Sequence, residues 1–129
     1  MTHHGEFFSF DEVVFEPKPI QRPRPPILVG GESKAALRRA ARLGDGWLGM
    51  GHTFESAAAP IKQLTELRSR YDRPPGEPDF QIIVGGAVES RADVAKWEAL
   101  GVTRLIVSPW RRSREAIEGL RAFADRAFA

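Results

Sequence analysis

Residues 27–47 read ILVGGESKAALRRAARLGDGW. A short apolar run meets two glycines; Leu37, Ala40 and Ala41 then recur at helical spacing from about Ser33 to Leu43, and Gly44 marks the stop. The pattern is that of a strand handing over to a helix. Glycines at such a junction serve one of two ends. They make a compact turn, or they let an anion approach main-chain N–H groups at the positive end of the helix dipole, where no Cβ stands in the way. Ser33 correspondingly either caps the helix or lends its hydroxyl to a ligand.

The same unit recurs toward the end of the chain. A second strand is expected over Gly46–Met50, followed by a helix with Ile61, Leu64, Leu67 and Tyr71 on one face and Pro60 in its first turn. A third, Phe80–Val84, leads through a Gly85-Gly86 turn to a helix opened by Ser90 and Asp93 at N-cap and N3 spacing, faced by Val94, Trp97 and Leu100 and ended by Gly101. A fourth, Arg104–Val107, reaches Ser108-Pro109-Trp110 and a closing helix from near Ser113, with Ile117, Leu120, Ala124 and Ala127 pointing one way. Strands separated by helices cannot pair through tight hairpins, so the sheet is expected to be parallel and the fold α/β over residues 27–129. Two architectures remain open: a small doubly wound sheet with ligands at a switch point, or half of a (β/α)8 barrel.

Residues 1–26 differ in character. Phe8, Phe10, Val13 and Phe15 alternate with polar residues, and prolines at 17, 19, 23, 25 and 26 follow. This reads as an extended strand or hairpin arm and a stiff connector that cannot be a central strand. The chain has 129 residues, 42% of them hydrophobic, enough for one domain with its own core. It has no cysteine, which rules out a disulfide framework and a thiolate metal site and fits a reducing cytoplasm. A pI near 9.4 accompanies a formal charge of only +2 with acids and bases interleaved, so no nucleic-acid groove is indicated. No run approaches the roughly 20 apolar residues of a membrane span, and no leader is expected ahead of the fold.

Residues expected at the carboxyl ends of the strands are the candidates for binding. Met50, Gly51, His52 and Thr53 follow the second strand beside the Gly30-Gly31 turn, and their amides and hydroxyls could serve the same anion. Arg111 and Arg112 follow the fourth strand; either could neutralise the anion or simply remain solvated, whereas Arg38-Arg39 reads as a solvated pair. Gly85-Gly86 reads as a turn. Asp45 belongs at the amino end of its strand and reads as a structural loop residue rather than an acid catalyst. His3, His4 and His52 do not make a metal-binding spacing.

These residues resemble a known family. PKPIQRPRPPILVGGESKAALRRAARLGDGW is similar to the C-terminal half of luciferase-like, flavin- or F420-dependent oxidoreductases. The likeness extends to His4-Gly5, to FQIIVGG and to LGVTRLIV, hence to nearly the whole chain. The resemblance implies a partial (β/α)8 TIM barrel: four C-terminal βα units preceded by a β-hairpin and proline-rich arm, with the first four strands absent. It implies that Gly30, Gly31, Ser33, Met50, Gly51, Thr53, Arg111 and Arg112 hold the phosphate of coenzyme F420, or alternatively of FMN. Thr53 stands where some F420-dependent members carry lysine, and no catalytic residue can be carried over, because the missing strands supply much of the ring pocket.

The implied chemistry is hydride transfer between reduced cofactor and a small organic substrate, or oxygen insertion with a flavin. Competing readings are a non-catalytic truncated remnant that dimerises as a binding module, and an independent phosphate-binding domain. Open strand edges and an apolar inner face imply self-association or pairing with a missing N-terminal half. The further expectations are a cytoplasmic protein with no nucleic-acid or membrane partner; if the DNA upstream of Met1 encodes the missing four strands, Met1 is an internal start in a longer gene.

Overall fold

The computed structural model describes residues 1–14, 16–71 and 79–128. Its elements are β1 (His3–His4), β2 (Ser9–Phe10), β3 (Leu28–Gly30), α1 (Lys34–Leu43), β4 (Gly46–His52), α2 (Phe54–Arg68), β5 (Gln81–Gly86), α3 (Arg91–Ala99), β6 (Arg104–Ile106) and, after a 3-10 turn at Ser113–Glu115, α4 (Ala116–Phe128). β1 and β2 pair antiparallel, His3 opposite Phe10, which makes the expected arm a short hairpin. Phe15, the last residue of the alternating pattern, lies outside the described residues.

The remaining strands form one parallel sheet in the order β3-β4-β5-β6, which is also their order in the chain. Side chains alternate across a strand. Val29, Trp47, Ile82, Val84 and Leu105 fall on one face, and they share a single core with Leu37, Ala40 and Ala41 of α1, Ala57, Ile61 and Leu64 of α2, and Trp97 of α3. Leu28, Met50 and Ile106 lie outside that core and are exposed. Helical side chains thus gather against one face, and the strand order never reverses. A doubly wound sheet requires helices on both faces and a switch in strand order. The arrangement is an open parallel α/β sheet of four consecutive βα units, consistent with part of a barrel and not closed.

Local chemistry explains each helix start. Ser33 Oγ accepts from the Ala36 amide at the head of α1. Thr53 and Ser56 satisfy one another's backbone amides at the head of α2, and Ser90 and Asp93 do the same for α3. Lys96, then the Glu89 amide, then Ser90 hold the Asp93 carboxyl below its ordinary range. The Thr53–Ser56 cap also moves the start of α2 to Phe54, so Pro60 stands in the second turn rather than the first. β5 likewise runs two residues past Val84: Gly85 and Gly86 belong to the strand, pairing with Ile106 and His52, and do not form a turn.

The face expected for α4 is only partly realised. Ala127 is buried and Phe123 packs against the core, whereas Ile117, Leu120 and Ala124 are exposed. At the opposite end of the sheet, Asp45 has the structural role expected of it. Its buried carboxylate accepts from the Ile27 amide at 2.7 Å and from the Arg24 guanidinium, fixing the arm to the start of the sheet.

Glycine frequency in β4 has a steric cause. The Trp47 ring folds back along its own strand, and a Cβ on Gly49 would lie 2.3 Å from it. Gly49→Ala is expected to lower stability by about 1–3 kcal/mol through overpacking. Urea denaturation checks this, and an unchanged midpoint would contradict the packing described.

Candidate functional site

The rim at the carboxyl ends of β3 and β4 is organised by side chains that β4 sends back toward the β3–α1 turn. Trp47 is fully buried, and its indole N–H donates to the Gly31 carbonyl at 2.9 Å. A trans peptide points its C=O and the following N–H in opposite directions. With the Gly31 carbonyl drawn inward, the Glu32 N–H is therefore turned away from the core. Gly31 has φ +100°, a conformation that a residue with a Cβ adopts only under strain. Beside it, a Cβ built on Gly30 would meet only the Leu48 carbonyl at 3.9 Å, so the space over that residue is open. Outside the helices and strand ladders, no hydrogen bond among the described residues draws on the amides of Gly31, Glu32 or Ser33.

His52 closes the arrangement from the end of β4. Its imidazole is 6% exposed; Nδ1 lies 3.1 Å from Ser56 Oγ, Nε2 lies 2.5 Å from Glu32 Oε1, and the ring packs on Trp47 at 5.7 Å between centroids. The Glu32 contact is close but poorly aligned, so Nε2 makes no directed hydrogen bond despite its proximity to the carboxylate. The turn is thus gripped twice, at Gly31 by Trp47 and at Glu32 by His52. The carboxylate of Glu32 opposes any anion nearby, and the His52 ring lies against it.

The expected binding residues divide into two groups. Gly30, Gly31 and Ser33 lie on one rim with Met50, Gly51 and Thr53, since β3 and β4 are neighbours. Ser33 caps α1 through its oxygen and keeps its own O–H proton to donate. Thr53 is more heavily engaged: it accepts from the Ser56 amide at 3.2 Å. The Glu55 carboxyl is also held below its ordinary value by its own amide and then by Thr53. The head of α2 therefore already holds an anionic group. Arg111 and Arg112 are exposed beyond β6, the far edge of the sheet. Three strand spacings, about 14 Å, separate that edge from β3. Arg111 instead lines a cleft with Glu115 and Glu118.

A cleft of about 520 Å³ opens over the ends of β4, β5 and β6, lined by Met50, Gly51, His52, Gly85, Ser108 and Arg126 among others. Its cation, Arg126 of α4, has no counterpart among the sequence expectations, nor does the Glu32–His52 contact. The latter had a signal: Glu32 directly follows the strand-ending glycines, and His52 ends the neighbouring strand on the same rim. Among the described residues no cluster of His, Asp and Glu could hold a metal ion, and no helix is long and apolar enough to cross a membrane.

Consecutive βα units with an open glycine turn at the carboxyl end of a strand define a barrel-type site on the face where such folds bind ligands. A family model described as luciferase-like monooxygenase matches residues 1–126, and the chain belongs to that family. It is 38% identical over 63 residues to an FMNH(2)-dependent dimethylsulfone monooxygenase of Pseudomonas putida, an alignment covering 49% of this chain and 17% of that protein. A second protein with the same description, from Pseudomonas fluorescens, is 36% identical over the same fractions. An uncharacterised protein of Mycobacterium tuberculosis is 37% identical over 105 residues, 81% of this chain and 34% of its own length. The chain spans about a third or less of the length of these relatives.

Trp47→Phe keeps most of the packing and removes the bond to the Gly31 carbonyl. The expected result is a stability loss of about 1 kcal/mol together with faster amide exchange at Gly31, Glu32 and Ser33 in hydrogen-exchange NMR. Unchanged exchange at those amides would show that the indole does not hold the turn.

Proposed function

We propose that this chain supplies the phosphate side of a reduced-flavin site in a luciferase-like monooxygenase, with FMN as the cofactor. The observation that carries the proposal is the β3–α1 turn. It is placed at the carboxyl end of a parallel strand, its carbonyl is held inward by Trp47, and its following amides and Ser33 hydroxyl stand at the head of a ten-residue helix. A phosphate monoester suits that donor set: N–H groups, one hydroxyl and the positive end of a helix dipole. Gly30 offers the necessary clearance.

Of the two cofactors the sequence allows, F420 finds no added support, whereas the relatives named for a cofactor are FMNH2-dependent. When bound, reduced flavin supplies the two electrons by which dioxygen is split between an organic product and water. The residues of this chain bind and orient: Gly30, Gly31 and Ser33 receive the phosphate, Trp47 fixes the turn, and His52 packs beside Glu32. The rim at Met50 and Gly51 borders the path from the phosphate toward the cleft beneath Arg126. The described residues at this rim bind and orient the cofactor, and none of them is assigned a step on the substrate.

Charge-assisted hydrogen bonds contribute about 1.5–3 kcal/mol each, so a phosphate held by this turn raises affinity at least about tenfold. Fluorescence titration is expected to show FMN binding that much more tightly than riboflavin, with F420 as a third arm. Gly30→Ala, whose methyl meets no protein atom closer than 3.9 Å, is expected to leave folding intact and weaken FMN about tenfold. Equal affinity for FMN and riboflavin would remove the phosphate from this turn.

A further inference from the structure

The chain exposes more surface than a folded monomer of its mass. Its accessible area is 9739 Å². A compact protein of 14.4 kDa exposes about 6,800 Å². The excess, about 2,900 Å² per chain and so about 5,800 Å² over two copies, is more than enough to supply an obligate interface, which buries roughly 2,000–5,000 Å² or more in total over both partners. Part of it lies in the hairpin arm, where Phe7, Phe8, Val14 and Ile20 are exposed. The rest includes the face of the sheet turned away from the helices, with Met50 58% and Ile106 41% exposed, and the outer stripe of α4, with Ile117 70% exposed.

The two free edges of the sheet have complementary geometry. β3 and β6 are the edge strands of the four-stranded sheet, both run in the same direction as their neighbours, and among the described residues each has a strand partner on one side only. A two-fold axis that brings β6 of one copy beside β3 of another also brings β3 of the first beside β6 of the second. An isologous contact of this kind closes both edges at once. Eight parallel strands then surround one interior, the strand number at which side chains fill a barrel without leaving a channel. Leu28, Met50 and Ile106 would pass from solvent into that interior, and the stripe of α4 would gain the α1 of the other copy as its neighbour.

We infer that the open sheet face and edges of this chain bind a second copy of the same chain, forming a two-fold barrel of four plus four βα units. The assembly has a consequence for the phosphate turn, and that consequence rests on the function proposed above. Within one chain Arg111 and Arg112 lie at the far edge from Gly30 and Gly31. In the dimer they follow the strand directly beside β3 of the other copy, one spacing of about 4.8 Å away. Each turn, which within its own chain is flanked by the Glu32 carboxylate, thereby receives two guanidinium groups from its partner.

The natural absence of cysteine makes the pairing directly testable. Leu28→Cys and Ile106→Cys place thiols on the two edge strands, within disulfide reach only if β3 of one copy meets β6 of another. Mixing the two single variants under oxidising conditions is expected to give a covalent dimer, and neither variant alone is expected to do so. Sedimentation of the unmodified chain, without cofactor, is expected to give twice 14.4 kDa at micromolar concentration. A monomer at about 100 μM, far above the range of specific dimers, would overturn the inference. So would disulfides formed equally by either variant alone, or a monomer that acquires a partner only when an N-terminal half from a longer relative is added. Because both readouts omit cofactor, their failure leaves the FMN reading standing, and failure of FMN to bind leaves the dimer standing.

Discussion

The indole of Trp47 is the contact on which the rest of the site depends. Its ring fills the core between the sheet and α1, which is a packing role, while its N–H reaches the Gly31 carbonyl, which is a positioning role. A buried indole without an acceptor carries a desolvation cost, so core and turn stabilise one another. The glycines around it follow from this choice. Gly49 is small because the ring lies against it, and Gly31 takes a positive φ because its carbonyl must turn inward.

Much of this was legible in the sequence, for identifiable reasons. The strand-to-helix handover at Ile27–Leu43 and the cap at Ser90 rest on local chemistry, which a short stretch of residues contains; Ser33 reads as either a cap or a ligand donor, and Asp45 reads as structural from its place at the amino end of its strand. What the sequence did not disclose includes one local cap and several contacts distant in the chain. Pro60 was expected in a first turn because the Thr53–Ser56 cap was not recognised. Gly85 and Gly86 look like a turn but are strand, paired with Ile106 and His52, and glycine at 86 leaves room for the Trp97 ring, 2.7 Å from where a Cβ would stand. The choice between a doubly wound sheet and a piece of a barrel needed the face on which every helix packs.

The candidate site shows the same division. Gly30, Gly31 and Ser33 could be proposed from the helix-dipole argument alone. Their separation from Arg111 and Arg112 could not, because it follows from strand order and the open geometry of a four-stranded sheet. The Glu32–His52 contact, which places a carboxylate at the mouth of an expected anion site, is likewise a product of β3 and β4 lying side by side. The Glu32 side chain is half-exposed, and the buried imidazole lies directly beside it.

The central claim is that main-chain amides at the exit of β3 receive a phosphate. Backbone amide chemical shifts followed while FMN is titrated into ¹⁵N-labelled protein address it most directly. The account predicts the largest displacements at Gly31, Glu32 and Ser33, reproduced in direction by inorganic phosphate at higher concentration. Displacements centred on the head of α2 or on the cleft beside Arg111, with these three amides unmoved, would contradict it.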